Sequence, residues 1–211
     1  MKLLLILGVL LATAALAQEP DERILFDGAS LDGWSHIGPG SFVLEDGALK
    51  TEGGMGLLWY TGDKFGNCII HVEYKVESAK SNSGIFIRVA DKPANEWFAV
   101  HHGYEIQIQD DNDSLHRTGA VYSMWPSKHS AWEPPGEWND MDIALVGQKI
   151  QVTLNGQFIT DFDPAKDIPP KRQHDWEPER GRRPLTGYIG LQNHSDQDTV
   201  WFRKVSVRPL P

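Results

Sequence analysis

The chain reads YEIQIQD at residues 104–110, and this stretch decides its fold class. Three apolar residues (Tyr104, Ile106 and Ile108) alternate with polar ones. A period of two is typical of a β-strand that has one face in a core and the other face open. The open face carries one carboxylate and two amides in a row, which suits a surface that hydrogen-bonds a polar ligand such as a sugar. A solvated strand face is the alternative interpretation of the same pattern.

A second strand with the same alternation is predicted at residues 81–89, which read SNSGIFIRV. Its two isoleucines and Val89 are predicted to face the core, which leaves Arg88 on the opposite face. If the two strands belong to one sheet, Arg88 shares the open side with Glu105 and Gln107. A guanidinium beside a carboxylate either forms a structural ion pair or keeps that carboxylate ionised next to a substrate.

Most other periodic segments are strand-like as well. Asp46-Gly47 and Asn155-Gly156 each separate two such segments, and both dipeptides are signals for a β-hairpin turn. Beyond the N-terminal leader described next, no segment shows a convincing helical period of 3.6 residues. The number and spacing of the strands predict an all-β sandwich.

The N-terminus has the pattern of a signal peptide, predicted to span residues 1–17. Lys2 supplies the positive start, residues 3–11 form an apolar run, and Ala15-Leu16-Ala17 is an A-x-A cleavage site. The apolar run is too short to span a membrane comfortably, so no membrane insertion is predicted. We therefore expect a periplasmic or secreted protein whose residues 18–211 form a single domain.

The overall composition excludes several classes of function. The formal net charge of −9 and the isoelectric point near 5.3 argue against nucleic acid or an anionic membrane as a partner. Cys68 is the only cysteine, so no internal disulfide forms, and its position on the apolar phase of a strand predicts that it is buried. The eight histidines lack metal-ligand spacing and no nucleotide-binding motif occurs, so neither a metal nor a cofactor is predicted.

Two long segments without strand periodicity stand out. Residues 125–138 contain Trp125, Trp132 and Trp138 among several prolines, and indole rings are good platforms for the apolar face of a sugar ring. Residues 161–184 are rich in proline and charged residues. Loops of this length are usually functional or disordered. The first segment is predicted to wall a sugar site, and the second is interpreted as either functional or a solvated excursion.

The polar phase of the signature strand is similar to that of sandwich glycosidases of the laminarinase type. Those enzymes alternate acidic residues along one strand, and retaining hydrolysis requires two carboxyl groups about 5 Å apart. Here Glu105 is the only acid in phase, Gln107 stands where a second acid is expected, and Asp110 has the spacing of the last acid in the longer version of the motif. Ordinary double displacement is therefore not favoured.

Eight short motifs in order resemble the 3-keto-disaccharide hydrolase domain family, over residues 24–210. They are LFDG at 25–28 with LDGW at 31–34, SNSGI at 81–85 with Arg88, YEIQI at 104–108 with Asp110, TGAVY at 118–122, GEWN at 136–139, LNG at 154–156, GLQNH at 190–194 and VWFR at 200–203. Each motif alone is weak, whereas the ordered set is specific.

The resemblance implies a concanavalin A-like jelly-roll β-sandwich of two antiparallel sheets with a concave ligand face. It also implies action on glycosides whose C3 hydroxyl has been oxidised to a ketone by a separate sugar 3-dehydrogenase. Such a ketone acidifies the hydrogen at C2, so the glycosidic bond can break by elimination and water can add back. That route requires a base at C2, a donor for the oxygen at C3 and an acid for the leaving oxygen.

Within this chemistry, catalytic roles are assigned to Glu105, His194 and Arg88. Arg88 is expected to orient Glu105 or to bind the oxyanion derived from the ketone. Histidine is a residue type that serves as base or acid near neutral pH, and either His194 or Glu105 takes the C2 proton, with His194 favoured. Substrate binding is assigned to Gln107, Asp110, Asn139 and Gln192 for the hydroxyl groups and to Trp125, Trp132 and Trp138 for the sugar ring.

Two other functions are compatible with the same sequence. A non-catalytic carbohydrate-binding module would use the same face and the tryptophans without needing the acid and the histidine. A conventional endo-glucanase would cleave glucan that has not been oxidised.

Overall fold

The computed structural model describes residues 22–211, so the predicted signal peptide at residues 1–17 lies outside the described residues. The strands are β1 (Arg23–Phe26), β2 (Trp34–Ile37), β3 (Ser41–Glu45), β4 (Ala48–Glu52), β5 (Gly56–Tyr60), β6 (Cys68–Val76), β7 (Ser83–Val89), β8 (Tyr104–Ile108), β9 (Asn139–Val146), β10 (Lys149–Leu154), β11 (Gln157–Phe162), β12 (Tyr188–Asn193) and β13 (Val200–Pro209). A short helix, α1 (Phe98–His102), lies between β7 and β8. Within residues 22–211, no helix has the length and apolar character needed to cross a membrane.

The strands form two antiparallel sheets, which confirms the predicted jelly-roll sandwich. The eight-stranded sheet has the order β11-β10-β9-β6-β13-β4-β3, with β1 also paired to β13. The five-stranded sheet has the order β2-β5-β12-β7-β8. Both predicted hairpin turns are present: Asp46-Gly47 joins β3 to β4 and Asn155-Gly156 joins β10 to β11. All four turn residues have positive φ, as the tight turns that match strand twist require.

The main core lies between the two sheets, and the strand alternation decides which side chains enter it. Tyr104, Ile106 and Ile108 of β8 are fully buried there, as predicted. Glu105 and Gln107 therefore point to the opposite face, outside the sandwich. A second apolar cluster covers part of this outer face, where α1 packs onto β5 and β7. The polar side chains of β8 thus lie beside a helix, and a pocket forms there.

Arg88 does not share the outer face with Glu105, so this prediction is wrong. Its φ of +57° falls in the left-handed region, and β7 carries an extra residue there relative to β12. Such a bulge shifts the alternation by one residue. The guanidinium consequently points across the sandwich, where it donates to the carbonyl oxygen of Gly147 at 2.8 Å. Val89 moves to the outer face and joins the second cluster.

Candidate functional site

A pocket of about 160 Å³ lies over the outer face of the five-stranded sheet. It is lined by side chains from β8, β12, α1 and five connecting segments: Asn82, Trp97, Val100, Glu105, Gln107, Tyr122, Trp176, Gln192 and His194. The structure therefore brings together four of the ten predicted site residues, Glu105, Gln107, Gln192 and His194.

Glu105 lies at the floor of this pocket, with only 5% of its surface exposed. Its carboxyl group lies over Gly84 of the neighbouring strand, where a Cβ atom would be 2.4 Å from Glu105 Oε1. Burial raises the pKa of Glu105 to about 8, and a hydrogen bond from Gln192 opposes this only in part. At neutral pH the group is therefore largely a carboxylic acid, which donates a hydrogen bond through its O–H.

Two glutamine amides flank Glu105, and each is oriented by a neighbour. Gln107 Nε2 donates to Asn82 Oδ1 at 3.0 Å, and the Gln192 amide bonds the Glu105 carboxyl. Among the described residues, neither Gln107 Oε1 nor Gln192 Oε1 has a hydrogen-bond partner, although both atoms are buried. A buried acceptor without a donor costs roughly 1–3 kcal/mol. Two such oxygens in one pocket indicate a binding site for hydroxyl groups.

His194 follows β12 directly and is fixed by a carboxylate that the sequence did not single out. Its Nδ1 lies 2.7 Å from Asp198 Oδ2. Asp198 also accepts hydrogen bonds from the Ser195 hydroxyl and from the backbone N–H of Asn82. Burial alone would raise the pKa of Asp198, but these hydrogen bonds outweigh burial and lower it. An ionised carboxylate on Nδ1 leaves Nε2 of the imidazole as the nitrogen that can accept a proton.

Two partly exposed tryptophans form the rim of the pocket. Trp97 immediately precedes α1, and Trp176 comes from the segment that connects β11 to β12, residues 163–187. Their exposed fractions are 42% and 46%. Large indole surfaces left open beside unsatisfied polar groups are typical of a ligand site that is part apolar and part hydrogen-bonding.

Arg183 attaches segment 163–187 to the strand and helix that carry the other side of the pocket. It is 8% exposed and donates to the carbonyl oxygens of His101, Gly103 and Glu179 at 3.0, 2.9 and 2.7 Å. Because His101 and Gly103 lie at the end of α1 and directly after it, these bonds hold the two walls of the pocket to each other.

The three tryptophans of segment 125–138 do not line the pocket, which corrects the predicted sugar platform. Trp125 and Trp132 pack against the main core, and the Trp125 ring centroid lies 5.8 Å from that of Phe162. Trp138 lies on the outer face of the eight-stranded sheet, with the guanidinium carbon of Arg203 4.4 Å from its ring centroid. The proline-rich segment exposes less indole surface than its composition indicates, because Trp125 and Trp132 are partly buried against the main core.

Asp110 and Asn139 are also absent from the pocket. Asp110 follows β8 as a buried side chain that accepts a hydrogen bond from the Thr118 hydroxyl at 2.6 Å, and burial raises its pKa to about 6. Asn139 accepts hydrogen bonds at its side-chain oxygen from Glu133 N and Asn155 Nδ2, both at 2.8 Å. Asp110 is thus part of the buried structure beside β8, and Asn139 holds segment 125–138 to the sheet.

One group of side chains within residues 22–211 is close enough to hold a metal ion, and it lies outside the pocket. Ligand atoms of His71, Glu73 and Asp140 fall within 4.8 Å of one another on the outer face of the eight-stranded sheet. Glu73 is already paired with Arg203. The hydrogen bond from His71 to Asp142 raises the pKa of His71, which favours the charged imidazolium over a metal ligand.

The pocket residues that the sequence did not reveal have weak local signals. Asp198 follows His194 by four residues in a polar turn, a spacing that suits a histidine–carboxylate pair but is common by chance. Trp176 is an isolated indole in a charged segment, whereas Trp97 sits next to a phenylalanine. The role of Gly84 in making room for a carboxyl group is visible only once the position of the Glu105 side chain is known.

Comparison with known proteins places the chain in a family. The 3-keto-alpha-glucoside-1,2-lyase-like domain family matches residues 21–208, and the chain belongs to that family. A crystal structure of a Parabacteroides distasonis ATCC 8503 protein, named as a candidate glycosyl hydrolase, is 27% identical. The similarity covers 90% of this chain and 100% of that one, with a TM-score of 0.74. No functionally curated protein is significantly similar to the chain.

More distant structures share the fold alone. A Bacillus subtilis protein of unknown function with a galectin-like fold is 12% identical, with a TM-score of 0.64 over 89% of this chain and 94% of that one. The carbohydrate binding module CBM66 from Bacillus subtilis is also 12% identical, with a TM-score of 0.57 over 83% of this chain and 95% of that one.

Proposed function

We propose that this member of the 3-keto-alpha-glucoside-1,2-lyase-like family is an exported enzyme that cleaves 3-keto-glycosides by elimination across C1 and C2, followed by rehydration. The observation that carries the proposal is one pocket that holds a buried carboxyl group together with a histidine backed by a carboxylate. The family description and the P. distasonis relative support a glycosidase-type reaction.

Direct displacement of the kind used by retaining glycosidases is a poor fit to this pocket. That reaction requires two carboxyl groups about 5 Å apart, one of them ionised as the nucleophile. Among the pocket-lining residues of the described range 22–211, Glu105 is the only one with a carboxyl group. Its raised pKa also keeps it protonated at neutral pH, when a nucleophile must be ionised.

Elimination uses the groups that are present. His194 Nε2 takes the proton from C2, and the electrons of the C2–H bond form an enolate whose charge rests on the oxygen at C3. Glu105 keeps its proton and donates a hydrogen bond to that oxygen, which lowers the energy of the enolate. Asp198 stays ionised and stabilises the imidazolium that His194 becomes.

Collapse of the enolate breaks the glycosidic bond. The C3 carbonyl reforms, a C1=C2 double bond appears, and the C1–O bond breaks with its electrons on the leaving oxygen. The proton held by His194 neutralises that oxygen and releases an alcohol. Water then adds its hydroxyl to C1 and a hydrogen to C2, so the net reaction is hydrolysis.

The substrate must come from a reaction that oxidises the C3 hydroxyl of a glycoside, which is the chemistry of a sugar 3-dehydrogenase. Export of the enzyme, through the predicted signal peptide at residues 1–17, would place it with glycosides outside the cytoplasm.

Release of a monosaccharide tests this function directly. The purified protein is incubated with a 3-keto-disaccharide and, separately, with the unoxidised parent disaccharide, both in deuterated water. We expect cleavage of the keto sugar alone, with deuterium at C2 of the product. Cleavage of the parent at a similar rate, or a product without deuterium at C2, would contradict elimination.

A carbohydrate-binding module is the second candidate, because Trp97 and Trp176 expose wide indole surfaces at the mouth of the pocket. It predicts saturable binding of both sugars without turnover, and binding that survives the loss of His194.

A further inference from the structure

The pocket floor is built on three adjacent strands with a glycine at its centre. Gly84 of β7 pairs with Gln107 of β8. On the other side, Leu191 of β12 pairs with Ile85, which places Gln192 beside Gly84 in the antiparallel register. The two glutamines therefore flank Gly84 on the same face of the sheet.

The Glu105 carboxyl fills the space that the missing side chain of Gly84 leaves. A Cβ atom at position 84 would lie 2.4, 2.7 and 2.9 Å from Oε1, Cγ and Cδ of Glu105. Real atoms do not approach so closely, so any other residue at position 84 would displace the carboxyl group. Glu105 is thus held between the amides of Gln107 and Gln192.

The floor consequently presents a fixed order of hydrogen-bonding groups. Gln107 uses its amide nitrogen for Asn82, and Gln192 bonds the carboxyl through its own amide. Both amide oxygens remain as buried acceptors without a partner among the described residues. The acid between them has an O–H to donate, since burial raises its pKa to about 8.

We propose that this acceptor–donor–acceptor floor recognises a ring ketone flanked by two hydroxyl groups, and that Gly84 determines this specificity by making room for the donor. A ketone at C3 lies between hydroxyls at C2 and C4. Its oxygen has lone pairs and no hydrogen, so it pairs with the O–H of Glu105, while the two hydroxyls donate to the amide oxygens. An alcohol at C3 adds a third donor, for which the floor has no matching acceptor.

This inference rests on the proposed function, because it concerns the same pocket, but ligand binding tests it without any cleavage. The probes are 1,5-anhydroglucitol and the same compound oxidised to a ketone at C3. Neither has an exocyclic leaving group at C1, so no glycosidic bond can be cleaved and the ratio of their dissociation constants reports recognition. Isothermal titration at pH 6.5 is expected to show about tenfold tighter binding of the ketone by the wild-type protein.

Four variants separate the contributions to that ratio. Glu105→Gln keeps an N–H donor and should retain the preference for the ketone, whereas Glu105→Met should bring the ratio close to one. Gly84→Ala should do the same by displacing the carboxyl. Gln107→Met should weaken both ligands equally and leave the ratio unchanged, and circular dichroism checks the fold of each variant.

A wild-type ratio near one would overturn the proposal, as would a full preference in both Glu105→Met and Gly84→Ala. A tenfold preference in a protein that never cleaves keto-glycosides would support ketone recognition and remove the proposed catalysis. Cleavage of keto-glycosides without any preference in binding would support the proposed catalysis and remove ketone recognition by the floor.

Discussion

Two of the histidine–aspartate pairs, His194–Asp198 and His71–Asp142, lie on opposite faces of this molecule, and each contributes to the lining of a pocket. His194 and Asp198 are joined at 2.7 Å above the five-stranded sheet, and His71 and Asp142 are joined at 2.8 Å on the outer face of the eight-stranded sheet. The two distances are nearly equal, so pair geometry does not distinguish them.

The surroundings of the two pairs differ instead. The side chain of Asp142 is 52% exposed, whereas that of Asp198 is 11% exposed. Next to His71, Glu73 is paired with Arg203, while the pocket at His194 contains a neutral acid and unsatisfied amide oxygens. Enclosure and unmet hydrogen-bonding capacity therefore favour His194–Asp198 as the pair that serves the proposed function, because a fully satisfied, solvated pair has nothing left to offer a ligand.

The largest expected difference between the pairs is in turnover. His194→Ala should lower kcat on a 3-keto-disaccharide by about 10²–10⁴-fold, since it removes the group proposed as the base at C2. The matched change His71→Ala should leave kcat within about twofold. Steady-state kinetics on both variants measure the contrast, and equal losses would show that the outer-face pair also contributes to the reaction.

A second contrast sets Glu105 against Glu73, because their pKa values shift in opposite directions. Folded Glu105 keeps its proton up to about pH 8, whereas the unfolded chain loses it near the ordinary value of 4.5. The folded state therefore binds more protons between these pH values, and its stability falls as the pH rises through that window. Glu105→Gln removes the cost of ionising a buried carboxyl group. The free energy of unfolding of the variant should therefore exceed that of wild type by a few kcal/mol at pH 9 and by little at pH 5.

Glu73 provides the control for this measurement. Burial alone would raise its pKa, but pairing with Arg203 and His71 lowers it, so its ionised form stabilises the fold above pH 4.5. Glu73→Gln should give no gain in melting temperature at pH 9. A thermal scan of both variants at pH 5 and pH 9 checks the prediction, which fails if Glu105→Gln shows the same difference from wild type at both pH values.

Replacing the carboxylates of the two pairs should change kcat by a smaller factor than replacing the histidines. Asp198→Asn leaves the imidazole present but without its charged partner, and we expect kcat to fall by about 10–100-fold. Asp142→Asn should have no effect on kcat. Measuring the steady-state kinetics of both variants checks this difference, and equal losses of kcat in Asp198→Asn and Asp142→Asn would contradict it.

The smallest expected effect separates the tryptophans of the pocket from those of the core. Trp176→Ala should raise KM about three- to tenfold with little change in kcat, since it removes a stacking surface away from the reacting atoms. Trp132→Ala should lower the melting temperature without raising KM. If KM rises in Trp132→Ala but not in Trp176→Ala, the assignment of the two loops is reversed.

The sequence predicted the sheet better than it predicted the site, and particular residues show why. The alternation in β8 correctly placed Glu105 and Gln107 on the face opposite the core, because a strand fixes side-chain direction through its period of two. The same rule failed one strand away, where the positive φ of Arg88 and its bulge reverse the alternation. No residue type at positions 87–89 signals that bulge, since arginine seldom adopts positive φ.

The predictions for the aromatic residues were wrong for a different reason. Composition favoured Trp125 and Trp132 over Trp176, yet whether an indole packs inward depends on contacts with distant strands such as β11. The partnership of Asp198 with His194 likewise depends on a turn whose hydrogen bonds include the backbone of Asn82, 116 residues away in the chain. Such long-range contacts set the site, and local sequence patterns do not report them.

The attachment of segment 163–187 bears on how enzymes with this architecture diversify. The segment leaves one sheet after β11 and enters the other at β12, and Arg183 fastens it through carbonyl oxygens. Carbonyl oxygens are present whatever the neighbouring side chains are, so this fastening tolerates mutation on both sides of the contact. A grafted segment that keeps the arginine can therefore exchange the wall at Trp176 while the sheet beneath keeps Glu105 and Gln192, so the rim of the pocket can vary independently of its floor.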